Sequence, residues 1–185
     1  MTKKIKTPLD QKTIVTLKAG DQVLLSGEVF TSRDAGHKRI IEQMERGEAL
    51  PFDIKDAIIY YVGPSPKKPG EIIGSAGPTT SYRMDAYTPM LLDSGLSGMI
   101  GKGDRNEVVI SAIVKNKAVY FAAVGGAAAL IADTVVSSEI IAYEDLGTEA
   151  LRRLIVKDFP CIVVIDCEGH DLYKSEKEKY RVTND

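Results

Sequence analysis

The chain has 185 residues, 44% of them hydrophobic and 27% charged, with a formal net charge of −2. That length can bury a core of its own and fits one domain over residues 1–185, while the near-neutral charge leaves no electrostatic footprint for nucleic acid. The longest nearly apolar run, Val119–Ala132, contains two glycines and is too short for a bilayer, and the start lacks the apolar stretch of a secretory signal, so a cytoplasmic protein without a membrane partner is expected.

In chain order, QVLLSGEVF predicts a strand that leads into a helix over TSRDAGHKRIIEQMERG. Ala35, Ile40, Ile41 and Met44 share a face of that helix, Thr31 or Ser32 is the expected cap, and Gly47 the expected stop. AIIYYVG is a dense β-forming run that ends at GPSPKKPGE, a loop. Pro89 in TPMLLDSGLSG suits the first turn of a short helix. EVVISAIVKNKAVYFAAVGG divides at Asn116 into two apolar halves and predicts a β-hairpin. GGAAALIADTVV predicts a glycine turn, a small-residue helix and a strand; GTEALRRLIVKD has helical spacing; PCIVVIDCEG predicts a last buried strand. The charged tail 174–185 is expected to be solvated or disordered. The sum is a mixed-sheet α/β domain of about seven strands, with a core over about 21–173.

Four stretches carry chemistry. Arg33 stands at the start of the first long helix, where backbone N–H groups and the dipole favour an anion, and its guanidinium can grip a carboxylate with two parallel hydrogen bonds. A surface pair with Asp34 or Glu28 accounts for it equally well. In GPTTSYRMD, the hydroxyls of Thr79, Thr80 and Ser81 precede Arg83; one hydroxyl as a cap and Arg83 bridging Asp85 is the plainer alternative. GKG sets Lys102 between two glycines, without the spacing of a phosphate-binding P-loop. Two cysteines, Cys161 and Cys167, and two histidines, His37 and His170, are too few for a metal centre held by this chain alone. His37 is expected to be solvated or capping. Together Arg33, Arg83, Lys102 and a hydroxyl suit a small dicarboxylate, with no means of activating a leaving group.

SGEVFTSRDAGHKRI, IYYVGPSP, GPTTSYRMDAY and MIGKGDR, in that order, resemble the β subunit of class I, iron-sulfur fumarate hydratase, and the corresponding C-terminal domain of single-chain fumarases. The β subunit of L(+)-tartrate dehydratase is a close relative of both. The resemblance implies a swivelling β/β/α domain and a lyase, specifically a hydro-lyase interconverting fumarate and (S)-malate. It implies a [4Fe-4S] cluster held by three cysteines of a partner α subunit, and activity only together with that subunit. By the same resemblance Arg33, Arg83 and Lys102 bind substrate carboxylates and Thr79 takes the proton from the carbon beside the carboxylate. Asp85 is the alternative catalytic group, moving the proton or orienting Arg83. Tartrate dehydration to oxaloacetate remains the nearest alternative, and a dicarboxylate-binding or assembly module without catalysis is the alternative from another class.

Overall fold

The computed structural model describes residues 2–123 and 128–179. Seven strands among them form one sheet: β1 (Lys3–Lys6), β2 (Gln22–Thr31), β3 (Ile58–Tyr60), β4 (Gly98–Gly101), β5 (Val119–Ala123), β6 (Val135–Ala142) and β7 (Leu151–Ile165), in the order β1-β2-β3-β4-β5-β7-β6. β1 to β5 run parallel. β7 is antiparallel to β2 along nearly the whole of β2 and also to β5, so β2, β3, β4, β5 and β7 close into a five-stranded barrel. β6 is antiparallel to β7 and ends the sheet.

Side-chain alternation divides the core in two. Val23, Leu25, Ile58, Tyr60, Ile100, Phe121, Leu154 and Val163 belong to one buried cluster, contributed by every barrel strand. Their neighbours Ile59, Tyr61, Met99, Tyr120 and Val164 face a second cluster, built with three crossover helices. After a short helix α1 (Gln11–Ile14), these are α2 (Asp34–Glu45), α3 (Thr88–Asp93) and α4 (Glu107–Asn116). Parallel strands require such connections, since a tight turn cannot return the chain to the same edge. Helix α3 carries proline in its first turn, as the sequence predicts.

The expected hairpin across Asn116 is not formed: its first half is α4. The side chain of Asn106 accepts the N–H of Val109 at 2.9 Å, and Val109, Ile110, Ala112 and Ile113 are buried at helical spacing. A cap plus a helical stripe outweighs the β preference of valine and isoleucine. The opposite correction applies at GTEALRRLIVKD. Leu151 to Asp158 lie in β7, paired on one side with β2 and on the other mostly with β6, and this double pairing overrides the helical spacing of Leu151, Leu154 and Ile155.

A helix α5 (Ala128–Asp133) precedes β6 as expected, while the predicted glycine turn at Gly125 and Gly126 lies outside the described residues. Within the tail, residues 174–179 belong to a helix: α6 (Leu172–Lys179) is tied back through Lys174 to Glu107 and through Lys177 to Asp104 at 2.7 Å, while 180–185 lie outside the described residues. No helix among the described residues is long and apolar enough to cross a membrane.

Candidate functional site: the C-terminal ends of the parallel strands

In an open or closed parallel sheet the loops beyond the C-terminal strand ends are free to gather ligand-binding groups, because the crossover helices start there. Here the ends of β2, β3 and β4 deliver Arg33, Gly63 and Lys102 in turn. The segment after Gly77 is stitched between the last two. Thr79 N–H donates to the Tyr61 carbonyl at 2.8 Å, Thr80 bridges Lys102 in parallel fashion, and Ser81 N–H donates to the Lys102 carbonyl at 2.9 Å.

Three of the residues picked out from the sequence are joined through Asp34, which the sequence offered only as a surface partner of Arg33. The Asp34 carboxylate accepts Arg33 Nε on Oδ2 at 3.1 Å, and its Oδ1 forms an ion pair with Arg83 Nε at 3.0 Å. Arg83 Nη2 in turn donates to Thr79 Oγ1 at 2.5 Å. Arg33 therefore pairs with Asp34, as one sequence alternative had it, while the other alternative fails: Arg83 bridges Asp34 and not Asp85. All three charged side chains are only partly buried, so they remain open to a ligand. Lys102 is exposed, and its ammonium has no ion-pair partner among the described residues.

Glu149 is a residue that sequence reasoning missed. Its Oε2 accepts the N–H of Ala35 at 2.6 Å and its Oε1 lies 3.4 Å from Arg33 Nε. It thus does the capping assigned to Thr31 or Ser32; the observed cap position is Arg33, without a side-chain cap bond of its own. Nothing in the sequence places position 149 beside position 33, because the register of β7 against β2 sets that contact. Gly63 completes the cradle: a Cβ there would stand 3.0 Å from Arg33 Nη1, tight enough to move the guanidinium.

Asp85 lies behind this surface. Its Oδ1 accepts Arg105 Nε at 2.6 Å and its Oδ2 accepts Asn106 N–H at 2.9 Å. Arg105 is fully buried, donates to Thr88 Oγ1 at 2.7 Å and stacks over the rings of Tyr61 and Tyr120 at 5.4 and 5.0 Å. This buried pair fixes the chain immediately after Lys102. The arginine closing MIGKGDR was the available signal for it.

His37 is buried rather than solvated or capping. Ser32 Oγ and His37 Nδ1 are 2.8 Å apart, Nε2 has no partner, and burial, reinforced by the Arg105 charge, draws its pKa down to about 3. It is a neutral ring wedged edge-on against Tyr61, 5.2 Å between centroids.

The cysteines lie elsewhere. Cys161 and Cys167 are buried, 3% and 2% exposed, in the first core cluster, and burial pushes the Cys161 thiol well above its ordinary pKa. Asp166, Glu168 and His170 do converge, but the Asp166 carboxylate is occupied by the backbone N–H groups of Ala19, Glu168 and His170, the geometry of a turn.

The fumarase C-terminus family matches this chain over residues 2–176. The chain belongs to that family. It is 36% identical over 173 residues to fumarate hydratase 2 of Leishmania major, covering 91% of this chain and 30% of that protein. It is 40% identical over 152 residues to the aerobic class I fumarate hydratase of Escherichia coli K12, covering 81% and 28%. A Methanocaldococcus jannaschii protein that carries the provisional name L(+)-tartrate dehydratase subunit beta is 37% identical over 177 residues, with 92% and 91% covered. This member of the fumarase C-terminus family thus spans less than a third of those two fumarate hydratases and nearly the whole of the tartrate dehydratase relative.

Proposed function

We propose that this chain is the β part of a hydro-lyase that interconverts fumarate and (S)-malate, acting with an α subunit. The observation that carries the reading is the linked set Arg33–Asp34–Arg83–Thr79 beside an unpaired Lys102, at the ends of three adjacent parallel strands.

Arg33 and Arg83 are the carboxylate ligands, with the Lys102 ammonium as a further cation near the same group. Asp34 holds the two guanidiniums at a fixed separation, which lowers the cost of ordering them when the diacid arrives. Thr79 Oγ1 is the group that holds or moves the proton of the carbon beside a carboxylate. An isolated threonine hydroxyl is a poor base; the bond from Arg83 Nη2 favours its alkoxide form, which the proton leaving carbon then neutralises. Asp85 is committed on both oxygens to Arg105 and Asn106, so in this reading it positions the Lys102 loop and takes no proton.

The cysteines of this chain do not suit a cluster: both are buried in the core, and burial disfavours the Cys161 thiolate. The [4Fe-4S] cluster is therefore assigned to the α subunit, where its open iron would supply the Lewis acid that helps the hydroxyl depart. Dehydration of L(+)-tartrate is the second reading, favoured by the near full-length relative of that name.

The test is anaerobic co-expression with a companion chain carrying three well-separated cysteines, followed by kinetics on both substrates. Fumarate hydration is expected, and Arg83→Ala or Lys102→Ala should each cost about 2 to 5 kcal/mol in kcat/KM. Turnover of tartrate with none of fumarate reverses the order of the two readings. An unchanged kcat/KM in both variants leaves the chain as a binding or assembly module.

A further inference from the structure

Seven arginines lie among the described residues, and six of them have a carboxylate within ion-pair distance: Arg33, Arg39, Arg46, Arg83, Arg105 and Arg153. Arg152 has none. It is half-buried, its Nε is shielded from solvent without a hydrogen-bond partner, and burial lowers its pKa. A guanidinium in that position is costly unless something compensates it. Its backbone cannot relieve the cost by moving, since Arg152 pairs with Thr31 of β2 on one side and Ile140 of β6 on the other, and its N–H donates to Thr31 Oγ1 at 3.2 Å.

Arg152 opens onto a groove of about 620 Å³ between the 64–75 loop and the β6–β7 ribbon. A second orphan lines the same groove: Ser138 Oγ, also shielded and without a partner. Lys67, which makes no ion pair among the described residues, stands on the loop side, with Ile72 and Ile140 as apolar walls. Glu144 also lines the groove, but it is not within ion-pair distance of Arg152. The groove shares no residue with the Arg33–Thr79–Arg83–Lys102 set. Thr148 lies on the wall between them: its carbonyl is 3.3 Å from the point where a Gly63 Cβ would stand, and Arg33 Nη1 is 3.0 Å from the same point.

We propose that this groove is a second anion site, taking the carboxylate or phosphate group of a small free metabolite on Arg152, with Ser138 Oγ as a neutral donor and Lys67 at the mouth. The terminal nitrogens of Arg152 carry no hydrogen bond among the described residues, and Ser138 Oγ is unpaired in the same groove; an oxyanion with several lone pairs takes the former directly and the latter after rotation of the seryl side chain. The isoleucine walls accept a short carbon body and disfavour a fully hydrated ion. The inference does not depend on the hydro-lyase reading, because it concerns other residues and needs no turnover.

The experiment is a two-dimensional ¹H–¹⁵N NMR titration of the ¹⁵N-labelled chain with succinate and, separately, with inorganic phosphate, each against potassium chloride at matched ionic strength. Saturable shifts of the Ser138, Thr148 and Arg152 amides are expected with at least one of the two anions and not with chloride; which anion saturates first identifies the class. Arg152→Met should weaken that binding at least tenfold, Ser138→Ala by a few-fold, and Arg152→Lys should retain part of it while guarding against loss of fold. Arg33→Ala should leave the groove shifts in place, which separates this site from the candidate active site. Absence of saturable groove shifts in the wild-type chain, or shifts that survive Arg152→Met unchanged, overturns the proposal.

Discussion

Arg83 Nε lies 3.0 Å from Asp34 Oδ1, and this ion pair ties the turn after Thr79 to the first turn of α2. The same carboxylate also holds Arg33. Two guanidiniums so placed repel each other, and Asp34 between them offsets that repulsion.

Asp34→Asn should therefore act on substrate handling more than on stability, since the pairs are partly exposed and such pairs add at most about 1 kcal/mol to folding. In the assembled enzyme we expect kcat/KM to fall by about 10- to 100-fold, or about 1.4 to 2.7 kcal/mol, with most of the change in KM. Steady-state kinetics on fumarate check this; an unaltered KM would remove Asp34 from the positioning role.

Asp85 and Arg105 behave differently because both are buried. Arg105→Met strands a carboxylate in the core and should cost about 3 to 5 kcal/mol in urea denaturation. The double variant Asp85→Asn with Arg105→Met should recover part of that loss, since the uncompensated charge is gone. Strict additivity of the two single costs would contradict a direct pairing.

His37 gives a pH dependence with a definite sign. Its folded pKa of about 3 lies below the ordinary 6.5, so the unfolded chain binds a proton that the folded chain refuses. Stability is full above pH 6.5 and falls as the pH drops from there toward 3, by about 1.4 kcal/mol per pH unit once the unfolded-state histidine is protonated. Denaturation midpoints of the wild type and His37→Gln, compared between pH 7 and pH 5, should converge toward acid, because only the wild type carries this slope. Parallel curves would show that the ring is not held neutral.

Gly101 offers a steric test of the Lys102 loop. A Cβ at this position would meet Ser81 Oγ at 2.0 Å, and Ser81 Oγ is the acceptor for both Lys102 N–H at 3.1 Å and Tyr120 O–H at 2.8 Å. Gly101→Ala should destabilise by about 1 to 3 kcal/mol through overpacking and displace the loop. Adding Ser81→Gly should restore much of the stability but not the anchoring of Lys102, so activity in the assembled enzyme should stay low. Thermal melts and kinetics together separate the two effects.

What the sequence made legible was local. The α2 boundaries before Gly47, the strand at Ile58, the proline-led α3 and the small-residue helix before β6 all rest on turn, cap or periodicity signals within a few residues. The two misassigned stretches rest on partners far away in the chain. Nothing near Leu151 announces that β2 will pair with it, and nothing in EVVISAIV outweighs valine and isoleucine except the Asn106 cap and the spacing of Val109 and Ile113. The site follows the same rule. Arg33, Thr79, Arg83 and Lys102 stood out by chemistry within short motifs, whereas Glu149 and the Asp34 bridge depend on how the ring of strands closes.

That ring has a consequence for the order in which the protein can be made. β2 leaves the ribosome before β7, and the barrel is not shut until Arg152 and its neighbours reach Thr31 and Phe30. Contacts so distant along the chain form slowly, because a large loop must be closed before they return any stability. Until then the nascent Arg33 has no Glu149 beside it and α2 has no cap, so the candidate site comes into being only once β7 has been made.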